Sequence, residues 1–359
     1  MGVTPEFRIS ANSDDITAAI ADRLISLRLT DEFGYQSDLI EITLADHDPA
    51  NPINKPPKGA ELEVFLGYDG NVKRMGLFVA DEIALSGWPG TMTIRARAAP
   101  YEATPKGKKD LQTQKTRSWP DKTKLSAMVQ KIAKEHGMTA VVAKSLAGVT
   151  LPHFSQTAES DISFLVRVTQ TYDAVVKPSG GKLVLAKRGE SQTASGEEMP
   201  EITLDASDCT SFDFTESARD EGGTVVAFWH STGKGKRQQI TVGSGEPVKQ
   251  IRHHYPNEAA AKAAAQGELD KRTRGKCTLS VTMPGDTDVQ AEAKLLLTGF
   301  RPGIPTEWLI KRAEHDFTAG SGGGYKCHVE GELPGSGDGE DTAGDGSAST
   351  PVDTPDDGE

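Results

Sequence analysis

Alternation with a period of two runs through the first hundred residues, and it constrains the fold more than any other feature of the sequence. Ile25, Leu27 and Leu29 alternate with Ser26, Arg28 and Thr30, and Ile40, Ile42 and Leu44 alternate with Glu41 and Thr43. Leu62, Val64 and Leu66 repeat the pattern, as do Met92, Ile94 and Ala96 against Thr93 and Arg95. Successive side chains of a strand point to opposite faces, so each run buries one face and wets the other. Turn residues separate the runs: Phe33-Gly34-Tyr35, the stretch from Pro49 to Gly59, Asp69-Gly70, and Trp88-Pro89-Gly90. Strands at this spacing predict a small barrel or sandwich over residues 1–105. The 37 glycines and 20 prolines of the 359-residue chain suit many turns and not a helical bundle.

The pattern changes after residue 105. From Pro105 to Trp119 the charges Lys106, Lys108, Lys109, Lys115 and Arg117 face one acid, Asp110, without apolar periodicity. This reads as a mobile basic linker, or as a contact to an acidic partner surface. A helix is expected from about Thr123, with Leu125, Met128, Val129, Ile132 and Ala133 on one face and Gly137 as its stop. A second follows Ser160, a good N-cap, with Ile162, Leu165, Val166 and Thr169 on a stripe that Phe164, Val168 and Tyr172 widen. A hairpin, Ala174–Lys177 and Lys182–Lys187 around Pro-Ser-Gly-Gly, completes a small α/β module over 106–190.

Strands return beyond Pro200. Ile202–Leu204, Cys209–Phe214, Thr224–Trp229, Gln239–Val242, Thr278–Met283, Trp308–Phe317 and Tyr325–Glu332 are expected to form a second barrel over 191–333. It carries a helical insertion at about Asn257–Thr273, with Asn257 as N-cap and Gly275 beyond its end. The hairpins that end the two barrels resemble each other in pattern, though not in residues, as a duplicated barrel would. Residues 334–359 hold eight acids and no base. They have too little apolar surface to repay ordering and are expected to form a disordered acidic tail. Taking those eight from the formal net charge of −12 leaves −4 for the body, too balanced for a surface whose main task is neutralising phosphates.

Candidate chemistry is sparse. Cys209, Cys277 and Cys327 are far apart with no CxxC spacing, so they predict reduced thiols rather than a zinc knuckle or disulfide framework. His253-His254 is the only histidine pair, with His230 upstream; adjacent residues on a strand would point to opposite faces, and no carboxylate stands at helical spacing from the pair, so no metal site is predicted. Gly320–Gly324 lies between two strand-like segments, and Gly233-Lys234-Gly235-Lys236 precedes a strand, whereas a phosphate loop leads into a helix N-terminus. No GxSxG elbow is present, and no carboxylate pair stands at a recognisable glycosidase spacing. No catalytic, cofactor-binding or metal-binding residue is therefore assigned. The first twenty residues hold no apolar run, so no signal peptide is expected, and no stretch reaches the length of a membrane span.

Several segments, taken in order, resemble the phage late control protein D family, the baseplate hub proteins of contractile tails. They are Asp22–Leu27 through Asp31, Asp38–Ile42, Gly59–Tyr68, Gly76–Val79, and Thr116–Trp119. Gln156-Thr157-Ala158-Glu159-Ser160-Asp161-Ile162-Ser163-Phe164-Leu165 is similar to the family's Q-x-x-E-S-D-x-x-F-L signature, and Trp308–Ile310 with His315 to its closing strand. The likeness spans about residues 5 to 332.

The resemblance implies a mainly β protein with α+β character, in which two tube-protein-like β-barrels flank the α/β module. It implies a homotrimeric, non-enzymatic hub of a phage or tailocin particle, assembled in the host cytoplasm. Six barrels would form a pseudo-sixfold ring under the tail tube, and the threefold axis would seat a separate trimeric spike. Tube or tube-end, tape measure and baseplate wedge proteins are the other implied neighbours, and no cofactor is implied. Two alternatives stand beside this reading: a cell-wall hydrolase of the tail tip, and an assembly factor absent from the mature particle.

Overall fold

The computed structural model describes residues 3–33, 38–48, 50–57, 59–98, 111, 113–179, 181–189, 191, 198–217, 223–231, 236–255, 257–320 and 323–334. The acidic segment 335–359 and the residues Lys106, Lys108, Lys109, Gly233 and Gly235 lie outside them.

The first part holds β1 (Pro5–Ala11), β2 (Asp14–Asp15), β3 (Leu24–Glu32), β4 (Leu39–Ala45), β5 (Glu61–Tyr68), β6 (Asn71–Ser86) and β7 (Thr91–Ala98). Antiparallel pairing runs in the order β3-β4-β7-β6-β5-β1-β2. The alternating residues fall where the period predicts: Ile40, Ile42, Leu44, Leu62, Val64, Leu66, Met92 and Ala96 are buried. Ile25 is the exception. The pairing of β3 with β4 shifts register between Leu24 and Ser26, so Leu24 turns inward and Ile25 is left exposed. One extra residue in a strand reverses which face its neighbours occupy.

The middle module contains β8 (Gln114–Trp119), β9 (Thr123–Lys124), β10 (Thr139–Val142), β11 (Thr150–Leu151), β12 (Phe154–Ser160), β13 (Ala174–Ser179) and β14 (Lys182–Lys187). Its helices are Leu125–Glu135 and Asp161–Thr169, with a single turn at Lys144–Ala147. Ser160 caps the second helix, its Oγ accepting the Ser163 N–H at 3.3 Å. Phe164, Leu165, Val168 and Thr169 are fully buried, while Ile162 and Val166 pack at the margin. β10 joins the β13–β14 hairpin in parallel, a strand that its four residues do not announce.

The last part holds β15 (Glu201–Asp205), β16 (Ser211–Glu216), β17 (Thr224–Ser231), β18 (Lys236–Gly243), β19 (Val248–Tyr255), β20 (Cys277–Pro284), β21 (Lys294–Thr298), β22 (Glu307–Thr318) and β23 (Gly324–Glu332). β17 and β18 are not barrel strands as expected. They form a separate sheet, order β18-β17-β19, against the helix Glu258–Gly275, through a small core of Val225, Ala227, Ala261 and Ala265. Alanines along one face let that helix approach a sheet closely, which explains the separate packing. Asn257 caps the helix as expected, its Oδ1 accepting the Ala260 N–H at 2.8 Å.

Candidate functional site: the seam between the two halves and its supports

β3 and β22 pair antiparallel from Ser26↔Thr318 to Glu32↔Arg312, joining the sheets of both halves into one of 13 strands. Beneath the seam one core runs unbroken from Ile9 and Leu27 to Trp308 and Val329. Phe7 of β1 meets Phe317 edge-on at 5.2 Å, and Tyr68 of β5 packs on Tyr325 at 5.6 Å and donates its hydroxyl to the Gly285 carbonyl. On the other face Arg28 binds Glu314 and Asp316 at 3.2 and 3.0 Å, and Arg312 binds Glu32, Glu314 and Glu330. Exposed pairs contribute little each, about 0–1 kcal/mol, but opposite charges directly across strands favour this register over a slipped one.

His315, from the closing-strand pattern, is buried at the seam opposite Leu29. Its ring lies 2.7 Å from the Tyr325 hydroxyl through Nδ1 and 2.9 Å from the Val289 carbonyl through Nε2. The carbonyl requires Nε2 to carry the proton, so Nδ1 accepts from Tyr325. Cys327 Sγ is 3.3 Å from the same Nδ1. Imidazole, phenol and thiol thus meet in a set that resembles a nucleophile with its base. Burial works against that use: it holds His315 below the usual imidazole range and pushes the Cys327 thiol up to about 12. A thiol that stays protonated is a poor nucleophile.

The remaining candidates do not converge. His254 leans on Phe228 and His253 on Tyr255, with both histidines on β19, and His230 sits on β17 opposite Arg237. Among the described residues no group of three His, Cys, Asp or Glu is placed to hold a metal ion. Gly320, at φ +94°, follows β22 on the way to β23, and Lys236 opens β18; neither leads into a helix.

The signature segment builds a clamp that sequence reasoning missed. The Asp161 carboxylate, wholly buried, accepts from Lys115 and His136 on Oδ2 at 2.7 Å each, and from Arg117 and Gln156 on Oδ1 at 2.6 and 2.8 Å. Glu135 bridges the same Lys115 and Arg117. Burial alone would raise the Asp161 carboxyl; hydrogen bonds from Lys115, Gln156 and His136 and the Arg117 charge outweigh it and hold the group below its usual range. Arg117 also covers Trp119, which stacks on Phe164 at 5.9 Å. Lys115 and Arg117 are therefore not part of a mobile linker: they belong to β8, and acids of their own chain neutralise them. The only signal in the sequence is an acid at the first position of a helix whose apolar face is broad enough to be buried.

A second charged group joins all three parts. Lys177 of β13 reaches Asp38 at 2.5 Å and Asp31 at 3.6 Å, and Phe33, Val175 and Ala291 pack together beside it. Glu292 lines the same cleft, of about 340 Å³, from a left-handed backbone at φ +73°. Burial and the Asp31 charge raise Asp38 to about 7, and burial raises Glu292 to about 8, against the pull of Lys177.

Comparison with known proteins agrees with this architecture. The family model described as phage tail baseplate hub (GPD) matches residues 39–321. The protein of Escherichia phage 186 described as "Probable baseplate hub protein" is 32% identical, over 88% of this chain and 90% of its own. Its counterpart in Escherichia phage P2 is 31% identical over 87% and 90%. The 43 kDa tail protein of prophage MuSo2 from Shewanella oneidensis shares the fold, with a TM-score of 0.65 at 14% identity over 92% of this chain and 99% of that one. The chain therefore belongs to the phage tail baseplate hub (GPD) family, and its place is the tail baseplate of a virion particle.

Proposed function

We propose that three copies of this hub chain close a ring in which the paired halves of each copy supply six similar positions around a threefold axis. Such a ring meets a sixfold tube on one side and seats a trimeric spike on the other, so the chain acts as a symmetry adaptor. The seam supports this reading: with β3 and β22 in one sheet over one core, each chain is a rigid pair of units rather than two units on a tether. A rigid pair repeats into a closed ring through heterologous contacts, one face of a copy meeting a different face of the next. The body charge is small enough that screening over about 8 Å at physiological salt permits association.

The role in this reading is structural: the family is one of baseplate hubs, and the seam's thiol is buried in the core, where burial keeps it protonated. Light scattering of the chain, alone and mixed with a trimeric tail spike protein of the same particle, tests the reading. The expected species holds three copies, with contacts each burying about 1,200–2,000 Å². A monomer or dimer with no spike complex would overturn it, and fragments released from peptidoglycan by the pure chain would overturn the structural role.

A further inference from the structure

The cleft between the middle module and the helix Glu258–Gly275 is rich in cations. Arg188, Lys249, Arg252 and Lys271 line it, and Arg272 stands in the adjoining hollow. The acids facing it are already engaged: Asp173 binds Arg274 at 2.6 Å, and Glu268 binds Lys249 at 2.5 Å. Among the described residues Arg252, Lys271 and Arg272 have no carboxylate at ion-pair distance, and the buried Nη1 of Arg272 has no hydrogen-bond acceptor. The exposed Arg252 and Lys271 gather positive charge at the cleft, so an anionic group gains by binding there.

The chain itself carries such groups close by. Eight acids, from Asp338 to Glu359, follow β23 with no lysine or arginine among them. The segment leaves the fold beside the cleft, because Glu332, which closes β23, lies 3.4 Å from Arg274 in the last turn of the helix. That helix is about 27 Å long at 1.5 Å per residue. Residues 335–359 reach at most about 90 Å when extended, so the whole cleft is within range. Tethering supplies an effective concentration on the order of millimolar, at which weak contacts suffice. Attraction of this kind needs charge and not a packed core, which suits the composition of the segment.

We propose that residues 335–359 dock through their carboxylates on this cleft of their own chain, tying the helical insertion to the middle module. Zero-length carbodiimide cross-linking of the full-length protein at low salt, read by peptide mass spectrometry, tests it. The expected product is an intramolecular amide from the segment's acids to Lys249 and Lys271, in preference to lysines that do not line the cleft, such as Lys144 and Lys294. Yield should fall about tenfold between roughly 50 mM and 500 mM salt, as exposed charges are screened. The double variant Arg252→Glu, Lys271→Glu changes two residues of the cleft rim and should cut the remaining link to Lys249 several-fold. Links spread evenly over the surface lysines, links indifferent to those substitutions, or a cross-linked dimer in place of the intramolecular product would each overturn the proposal.

Discussion

Among single residues, those at the junction of the three parts set a pH dependence. Asp31, Asp38 and Glu292 lie around the ammonium of Lys177, with Arg188 nearby and Lys73, Arg74 and His315 lining the same cleft. A carboxyl of the unfolded chain titrates at about 4. The folded protein therefore holds protons on Asp38 and Glu292 that the unfolded chain has released, and it is stabilised by them at low pH. That contribution is lost as pH rises through about 7 for Asp38 and about 8 for Glu292. Melting temperature should fall between about pH 4 and pH 8, and the variant Asp38→Asn, Glu292→Gln should flatten the decline. A rise across this window in the unmodified protein would contradict the assignment. Asp161 behaves oppositely: its lowered carboxyl stabilises above its unfolded value and loses that effect as pH falls through the folded one. The letters of the signature are legible as a cap and an apolar face, but its partners Lys115 and Arg117 lie 46 and 44 residues away, beyond any local pattern.

Elements are legible where periodicity is strong. Both helices of the middle module and the Ala-rich helix start within two residues of their caps or apolar stripes. Leu165 lies on the buried face of the second and touches no solvent. Leu165→Ala should cost about 2–5 kcal/mol of unfolding free energy, and Ile162→Ala, at the half-buried margin, less. Denaturant unfolding of the whole chain measures both; an unchanged midpoint for Leu165→Ala would mean that this face serves a partner instead. Strands without clean alternation escape a sequence reading. β19 reads Val-Lys-Gln-Ile-Arg-His-His-Tyr and β21 is a short apolar run, neither of which separates strand from loop by period alone. The bulge at Leu24–Ser26 is equally silent, because an inserted residue changes which face is wet without changing composition.

Across the full chain the two halves should unfold as one. Phe78 in the first half and Trp308 in the second belong to the same core. Phe78→Ala and Trp308→Ala, each costing about 3–5 kcal/mol, should lower a single shared calorimetric transition. Two separable transitions, each moved by one variant, would show that the seam does not couple them. Strand content, the capped helices, the order of the parts and the charge of the segment after β23 all follow from residues near one another in the chain, and so can be read without coordinates. Packing between distant segments is what takes β17 and β18 out of the barrel, gives Lys115 and Arg117 to Asp161, and lays β3 beside β22. The bond from Arg28 to Asp316 spans 288 residues. Backbone groups along a strand edge are alike in every sequence, so an edge does not name its neighbour until the side chains of both have packed into one core.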